Sequence, residues 1–171
     1  IVRERGIDMR FHHDLTGIDA DAKEAIFERV DDPSQGPVRI GYDLLHVTPP
    51  MRAPRPLRES PLAIATGPHQ GFAEVDIHTL QSRKDPDVFA LGDAAALPTA
   101  KTGAAVRKQA PVLVDRLLAR RSGGTSHASY DGYSSCPLVT GYGRLVLAEF
   151  TYGNTYAPTF PVDQTKERWD M

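Results

Sequence analysis

The sequence predicts an α/β fold with a β-meander near its N-terminus and an irregular C-terminal region. Apolar residues alternate with polar ones at Ile7, Met9 and Phe11, which is the pattern of a half-buried strand. A second apolar run at residues 88–91 ends in Gly-Asp and leads into a helical pattern. The length of 171 residues suits one domain or two small ones.

The first half of the chain is predicted to be rich in strands. Residues 7–11 form the first strand, and Ile18 together with residues 25–27 indicates a meander or hairpin. Residues 42–47 are an almost continuous apolar run, as in a buried strand, so His46 is expected to lie in the core. Prolines end that strand, and residues 48–71 read as an irregular crossover with six prolines.

The second half is predicted to contain two more strands, one long helix and a linker. Residues 72–81 and 88–91 have strand composition. A helix is expected from about residue 102 to 120, with a kink at Pro111 and with Val106, Ala110, Leu113 and Leu117 on its buried face. A flexible linker follows at residues 122–126, then a strand at 144–150, then about twenty irregular residues.

Composition excludes several classes of function. The net charge is −2 and the basic residues are scattered, so nucleic acid is not an expected partner. No apolar run is long enough to span a bilayer. The single cysteine excludes an internal disulfide, and no metal site is predicted because His12 and His13 lack carboxylates at a ligand spacing. Because the chain starts at Ile1 with what reads as the tail of a helix, we expect an excised or truncated piece.

The segment from Gly92 to Gly103 indicates a flavin site. The Asp93 carboxylate can accept hydrogen bonds from a polyol, and Gly92 lets the backbone approach a ligand closely. Backbone amides at Lys101, Thr102 and Gly103, with the lysine charge, can stabilise negative charge on an electron-poor ring. Residue patterns alone leave an alternative open, in which Gly-Asp is an ordinary turn and a threonine caps the helix.

Cys136 is the second feature that bears on chemistry. Its neighbours are loop-forming residues, which favours access to the thiol. A lone cysteine is also often a buried apolar residue, so its sequence context leaves both interpretations open. The G-x-G-x-x-G phosphate-binding motif of dinucleotide-binding domains is absent from the chain.

Long runs of the sequence resemble the C-terminal half of the sulfide:quinone oxidoreductases, which are flavin-dependent members of the pyridine nucleotide-disulfide oxidoreductase superfamily. The resemblance is strongest to the branch that contains the mitochondrial enzymes. It covers nearly the whole chain and rests on residues 42–51, 60–63, 88–109, 130–142 and 160–168.

This resemblance implies a fold of two Rossmann-like domains, of which the chain contains the C-terminal part. Residues 1–70 would end the inserted NAD(P)-type domain, and residues 71–121 would belong to the FAD-binding domain. Residues 122–171 would form a C-terminal region with one redox cysteine, truncated before a membrane-binding tail. By the same resemblance Cys136 is the catalytic cysteine, and Asp93, Lys101 and Thr102 contact FAD.

The family oxidises sulfide to sulfane sulfur through a cysteine pair and FAD and passes two electrons to a quinone. The resemblance therefore implies sulfide, a sulfane-sulfur acceptor, quinone and a membrane surface as partners, on a bacterial or mitochondrial inner membrane. The partner cysteine, the adenine-binding motif and the membrane-docking tail are absent from the chain. We therefore expect this soluble piece to be inactive alone and to bind FAD weakly or not at all.

Two other functional classes remain open at this point. A type II NADH dehydrogenase or a flavocytochrome sulfide dehydrogenase would keep the superfamily but change the reaction, although the former has no need of Cys136. A non-enzymatic module with a vestigial cofactor site is the third class. A homodimer that pairs through the exposed edge of the 88–91 strand is a further expectation.

Overall fold

The computed structural model describes residues 1–169; the last two residues of the predicted C-terminal region, 170 and 171, lie outside that range. The chain divides into two compact units, Ile1–Pro50 and Met51–Met171. The domain boundaries near residues 70 and 121 follow from the family resemblance and stay predictions.

The first unit is an antiparallel meander, as predicted. Its strands are β1 (His13–Asp19), β2 (Glu24–Arg29) and β3 (Val38–Gly41), and they are hydrogen-bonded in chain order. Leu15 pairs with Phe27 and Ala25 with Ile40, with a bulge in β1 between Leu15 and Gly17. Ala25 is the buried residue of this sheet.

Two strands predicted in this unit are wrong. Residues 7–11 have the alternating apolar and polar pattern of a strand, but they form none. Their apolar side chains are exposed because no neighbouring strand pairs with them. Residues 42–47 also form no strand: Leu44 is 91% exposed. His46 is exposed and is therefore not a core histidine. An apolar run indicates which residues can be buried, but the strand or helix that covers them must come from elsewhere in the fold.

The second unit starts with irregular chain around α1 (Arg55–Arg58), in agreement with the predicted crossover. The predicted strands at residues 72–81 and 88–91 are reduced to isolated bridges, Val75 to Ser82 and Gln81 to Phe89. A tight turn interrupts them, because the Asp76 carboxylate accepts hydrogen bonds from the backbone amides of His78 and Thr79. The chain therefore doubles back before a regular ladder forms.

The long helix α2 (Gly103–Ser122) lies close to its predicted position. The Thr102 side chain caps its N-terminus, and Gly123 ends it in the left-handed conformation at φ 70°. The predicted buried face is wrong, because each buried residue lies one position before the predicted one. The buried residues are Ala105, Gln109 and Val112. The helix continues through the exposed Pro111 without a break.

The C-terminal sheet consists of β4 (Ser134–Gly141), β5 (Arg144–Thr151) and the short β6 (Thr155–Tyr156). All three are antiparallel, and β5 matches the predicted strand. Cys136 pairs with Ala148 inside β4, so the expectation of a loop around the cysteine is wrong. The remaining residues up to 169 are irregular, as predicted.

The core of the second unit lies between α2, the turn at residues 76–81 and the chain around residues 95–97 and 130. Its buried members are aliphatic apart from one tyrosine (Ala73, Val75, Leu80, Ala95, Leu97, Val112 and Tyr130). The fold is therefore mixed α/β, with two small antiparallel sheets within residues 1–169. None of the helices in this described range is long and apolar enough to cross a membrane.

Candidate functional site

Gly92 begins a single 3₁₀ turn, Gly92–Ala94, that rests on α2. Its φ of 59° lies in the left-handed region, and a β-carbon there would come within 3.0 Å of Val106 Cγ2. The Gly92 amide donates a 2.8 Å hydrogen bond to Oε1 of the buried Gln109. Glycine is thus required for the close contact between this turn and the helix.

The Asp93 side chain is exposed beside this turn. Within residues 1–169 its carboxylate accepts no hydrogen bond, and its interaction with Lys101 is electrostatic. The carboxylate is therefore free to accept hydrogen bonds, and its role toward the hydroxyl groups of a ligand stays a prediction.

Lys101 is bound to the loop that contains Gly92. Its ammonium group donates to the backbone carbonyls of Gly92, at 3.3 Å, and of Ala95, and it lies 4.5 Å from the centre of the Phe72 ring. Burial lowers the pKa of Lys101, and the nearby Asp93 carboxylate partly opposes that shift. The lysine therefore holds the turn together and places a positive charge beneath it.

The N-terminus of α2 offers free amides at two positions. Thr102 Oγ1 accepts a 3.1 Å hydrogen bond from the Ala105 amide, and the Thr102 amide itself donates to the Ala100 carbonyl. The amides of Gly103 and Ala104 have no partner within the helix, because the first turn of any helix leaves them unpaired. These two amides, and not that of Thr102, are available to donate hydrogen bonds to the negatively charged edge of a ligand.

A chain of hydroxyl groups links this helix terminus to β4. Ser134 is fully buried, and its hydroxyl donates to the Ala100 carbonyl at 3.2 Å. Because its single proton is used there, Thr102 Oγ1 is the donor in the 2.8 Å contact with Ser134 Oγ. Thr99 adds a second link by donating to the Gly132 carbonyl at 2.9 Å.

These links place Cys136 near the predicted flavin loop. Side chains two positions apart in a strand share one face of the sheet. Cys136 therefore lies on the same face of β4 as Ser134, which contacts the N-cap of α2. The cysteine is free and half-buried.

An apolar cavity of about 640 Å³ lies against the opposite face of the same hairpin. Ser135 and Pro137 of β4 face it, which are the positions that alternate with Ser134 and Cys136. The other lining residues come from α2, the residue before β4, β5 and the C-terminal segment, residues 157–169 (Gly103, Ala104, Arg107, Tyr133, Leu145, Leu147, Glu149, Phe160, Val162 and Arg168). One strand thus separates a thiol from an apolar cavity, and the cavity adjoins the N-terminus of α2.

Glu149 forms the polar end of this cavity and was not found from the sequence. Its carboxylate is 1% exposed and accepts hydrogen bonds from the Tyr133 hydroxyl, the Gln164 side-chain amide, and the amide and hydroxyl of Thr159. Burial by itself would raise the pKa of Glu149, but these hydrogen bonds outweigh it and lower the pKa to about 2. The carboxylate is therefore ionised at neutral pH and joins β5 to the C-terminal segment.

The contact between Gln109 and Gly92 gives a testable prediction. Gln109→Leu would leave the Gly92 amide buried without an acceptor, which costs about 1–3 kcal/mol. We expect denaturant titration followed by circular dichroism to show a loss of that size. Gln70→Leu, at an exposed glutamine, is the matched control and should change little. Equal effects of the two substitutions would contradict the proposed role of Gln109.

The sequence of the chain is similar to those of three mitochondrial enzymes along most or all of its length. It is 46% identical over 171 residues to the sulfide:quinone oxidoreductase of Mus musculus and 44% identical over 169 residues to that of Dictyostelium discoideum. The enzyme of Schizosaccharomyces pombe is 43% identical over 148 residues. The chain is related to the sulfide:quinone oxidoreductases. The resemblance seen in the sequence is thereby confirmed.

The chain spans about a third of these sulfide:quinone oxidoreductases, namely 37%, 36% and 31% of their lengths. No protein-family model matches the chain. Among solved structures, a chain in the cryo-EM structure of the Tetrahymena thermophila mitochondrial ATP synthase has a similar fold. The TM-score is 0.75 at 31% identity, covering 91% of this chain and 36% of that one.

Relation to the sulfide:quinone oxidoreductases does not by itself assign roles to single residues. The structure brings Gly92, Lys101 and Thr102 together around one loop, with Asp93 at its exposed side. The hydroxyl contact between Thr102 and Ser134 attaches to this group the strand that contains Cys136. The roles of these residues in flavin binding and catalysis stay predictions.

Proposed function

We propose that this chain supplies one redox cysteine and part of the flavin site of an enzyme that oxidises sulfide and reduces a quinone. The observation that supports this most is the hydrogen bond between Thr102 and Ser134. It fixes the strand that contains Cys136 against the helix terminus at which the isoalloxazine ring would lie.

The residues around the N-terminus of α2 fit FAD. Asp93 has a free carboxylate for ribityl hydroxyl groups, and Gly92 lets the loop that contains Asp93 pack closely on α2. The amides of Gly103 and Ala104 would face the pyrimidine edge of the ring, where the helix dipole favours negative charge. When bound, FAD would accept two electrons from sulfur and pass them to the quinone. The diphosphate anchor would come from polypeptide that is not in this chain.

Cys136 would take part in thiol–disulfide exchange. Hydrosulfide attacks the sulfur bridge between Cys136 and a second cysteine that this chain does not contain. The sulfur–sulfur bond would break, Cys136 would keep the sulfane sulfur as a persulfide, and the second cysteine would leave as a thiolate. A small thiophilic acceptor would then take the sulfane sulfur and leave Cys136 as a thiolate. When the two thiolates join again in the bridge, the two electrons that they release would pass to the bound flavin.

The apolar cavity on the other face of β4 would hold the quinone ring. Leu147, Phe160 and Val162 provide apolar contacts, and Arg107 can donate a hydrogen bond to a quinone oxygen. Sulfide and quinone would then react on opposite sides of one strand. Because the three relatives are named as mitochondrial enzymes, we expect the protein to act at the mitochondrial inner membrane.

A chimera would test the proposed function. The matching third of the mouse sulfide:quinone oxidoreductase is replaced by this chain, and sulfide-dependent quinone reduction and flavin absorbance are measured. We expect a flavin-containing, active chimera, and we expect Cys136→Ser to lower its turnover by roughly a thousandfold or more, as loss of a nucleophile does. Ser129→Ala, at an exposed serine that lines neither proposed site, is the control. Undiminished turnover of Cys136→Ser would contradict the role of the cysteine and favour an NADH dehydrogenase.

A second candidate function is that of a non-enzymatic module within an assembly. The similar fold in the mitochondrial ATP synthase structure favours it. The matched chain there is 31% identical to this one and is part of a large complex. The same chimera separates the two functions. A folded chimera without flavin absorbance and without turnover would support the assembly module, and a flavin-containing, active chimera would support the enzyme.

A further inference from the structure

We propose that a polar cavity between α1 and the turn at residues 64–72 binds a free nucleoside diphosphate. The cavity has a volume of about 810 Å³, which lies within the range of small-molecule sites. Among the residues that the structure describes, three basic side chains and one carboxylate line it (Arg52, Arg58, Lys84 and Glu59). Its lining includes none of residues 92–103 and none of the residues that line the apolar cavity beside β4.

The positive charge around this cavity is not neutralised by the protein. Glu59 forms an ion pair at 2.7 Å with Arg55, which does not line the cavity. The guanidinium groups of Arg52 and Arg58 have no partner within residues 1–169. Cations that line a cleft without a counter-charge attract an anion, because the low-dielectric walls concentrate their field. The expected ligand is therefore negatively charged.

Two contacts hold the cations in place without a ligand. The stem of Arg58 packs on Gly71, where an added β-carbon would lie 3.0 Å from Arg58 Cγ. Lys84 Nζ donates to the carbonyls of Pro61, at 3.0 Å, and Ala63, at 2.5 Å. An ammonium group has three N–H donors, so one remains for a ligand. Cations that are already positioned lose less conformational entropy on binding, which favours affinity.

The turn at residues 64–72 adds backbone donors to these side chains. Its ends are joined by a 2.9 Å hydrogen bond from the Ile64 amide to the Phe72 carbonyl. Ala65 and Gly67 lie inside the turn and line the cavity, and their amides have no acceptor in the described part of the chain. Unpaired backbone amides in a turn form concave sites for anions, phosphate above all. The donors therefore fit phosphate oxygens.

The apolar part of the cavity favours a ligand with a ring system over a bare phosphate ion. Met51, Ile64 and Phe72 contribute apolar lining, and the Phe72 ring lies 4.5 Å from the ammonium group of Lys101. A planar base can pack on such a wall or on the face of a guanidinium group, and arginine also pairs with phosphate through two parallel hydrogen bonds. A nucleoside diphosphate combines both features in one molecule.

Isothermal titration calorimetry on the 171-residue chain tests this proposal. We expect ADP to bind saturably, inorganic pyrophosphate to bind more weakly, and uncharged adenosine not to bind. Arg52→Gln and Arg58→Gln should each weaken ADP binding by roughly tenfold or more, as loss of a hydrogen bond to a charged group does. Arg121→Gln, at an exposed arginine of α2 outside the cavity, is the matched control and should bind ADP as the unchanged chain does.

Circular dichroism should show that all variants stay folded, since the substituted side chains are exposed. Absence of saturable ADP binding would overturn the proposal. Equal weakening by Arg121→Gln would also overturn it, because the attraction would then come from the general surface charge. Displacement of ADP by FAD would assign the cavity to the cofactor and contradict a site for a free nucleotide. The assay contains no sulfide or quinone, so its outcome is independent of the proposed enzymatic function.

Discussion

Gly132→Ala is expected to prevent the second unit from folding stably. A β-carbon at residue 132 would overlap the Tyr152 ring at Cγ and would lie 2.6 Å from the Tyr152 backbone nitrogen, closer than any real contact. The φ of 88° adds strain for any residue other than glycine. Overpacking and backbone strain together predict a loss of more than about 3 kcal/mol.

Tyr152 has little freedom to move away from such a β-carbon. Its hydroxyl donates to the Ile77 carbonyl at 2.5 Å, and its ring packs edge-on against Tyr130 and His78. Burial raises the pKa of Tyr152, so the hydroxyl stays protonated and remains a donor over the ordinary pH range. The clash would therefore have to be relieved by the buried core around Tyr130.

The measurement is denaturant titration of the chain followed by circular dichroism at the helical band. Most of the helix within residues 1–169 belongs to α2, so this signal reports on the second unit. Gly123→Ala is the control, because Gly123 also has a positive φ. A β-carbon added there would lie within 4 Å of no atom beyond its own chain neighbours. The control should lose about 1 kcal/mol from strain alone. Equal losses at both positions would show that the contact with Tyr152 is not decisive.

The parts of the fold that the sequence predicts correctly are those set by local patterns. The bounds of α2 follow from the capping threonine at residue 102 and the glycine at residue 123. The prediction of its buried face is wrong by one position, because Gln109 is polar and a pattern based on apolar residues assigns it to the exposed side. The structure buries Gln109 because its side chain accepts the amide of Gly92, seventeen positions earlier.

Strands were harder to predict than the helix because a strand needs a partner. Residues 42–47 and 88–91 have the composition of buried strands, yet no regular ladder forms at either. The candidate site shows the same division. Gly92, Asp93 and Lys101 are close in sequence, so a local pattern is enough to single them out as candidates. The contact of Thr102 with Ser134 joins residues 32 positions apart and has no such pattern. Glu149 and the apolar cavity are likewise formed by distant segments and leave no local signal.

Loss of the Glu149 charge is expected to destabilise the second unit in acid. The folded-state pKa is lowered from 4.5 to about 2, so the unfolded chain binds a proton first as pH falls. The stability from this group is therefore complete above about pH 4.5 and is lost as pH falls toward 2. The shift corresponds to about 3 kcal/mol, which is meaningful here because the side chain is almost fully buried.

The pH dependence can be assigned to Glu149 by comparing two variants. Glu149→Gln keeps the shape but turns two hydrogen-bond donors toward Thr159 and Tyr133, which are donors themselves. It should cost about 2–4 kcal/mol at neutral pH and should remove most of the stability change between pH 4.5 and 2. Glu59→Gln, at an exposed residue whose partner is Arg55, should leave both quantities nearly unchanged.

The free energy of unfolding at several pH values, from urea titrations, distinguishes the possible origins of acid sensitivity. If Glu149→Gln loses stability in acid as steeply as the unchanged chain, other carboxylates are responsible and the four donors around Glu149 do not hold its charge. If the slope disappears with the charge, the carboxylate is the link that keeps the C-terminal segment on β5. Because Glu149 also lines the apolar cavity, the same result would show that the shape of the cavity depends on this one ionised group.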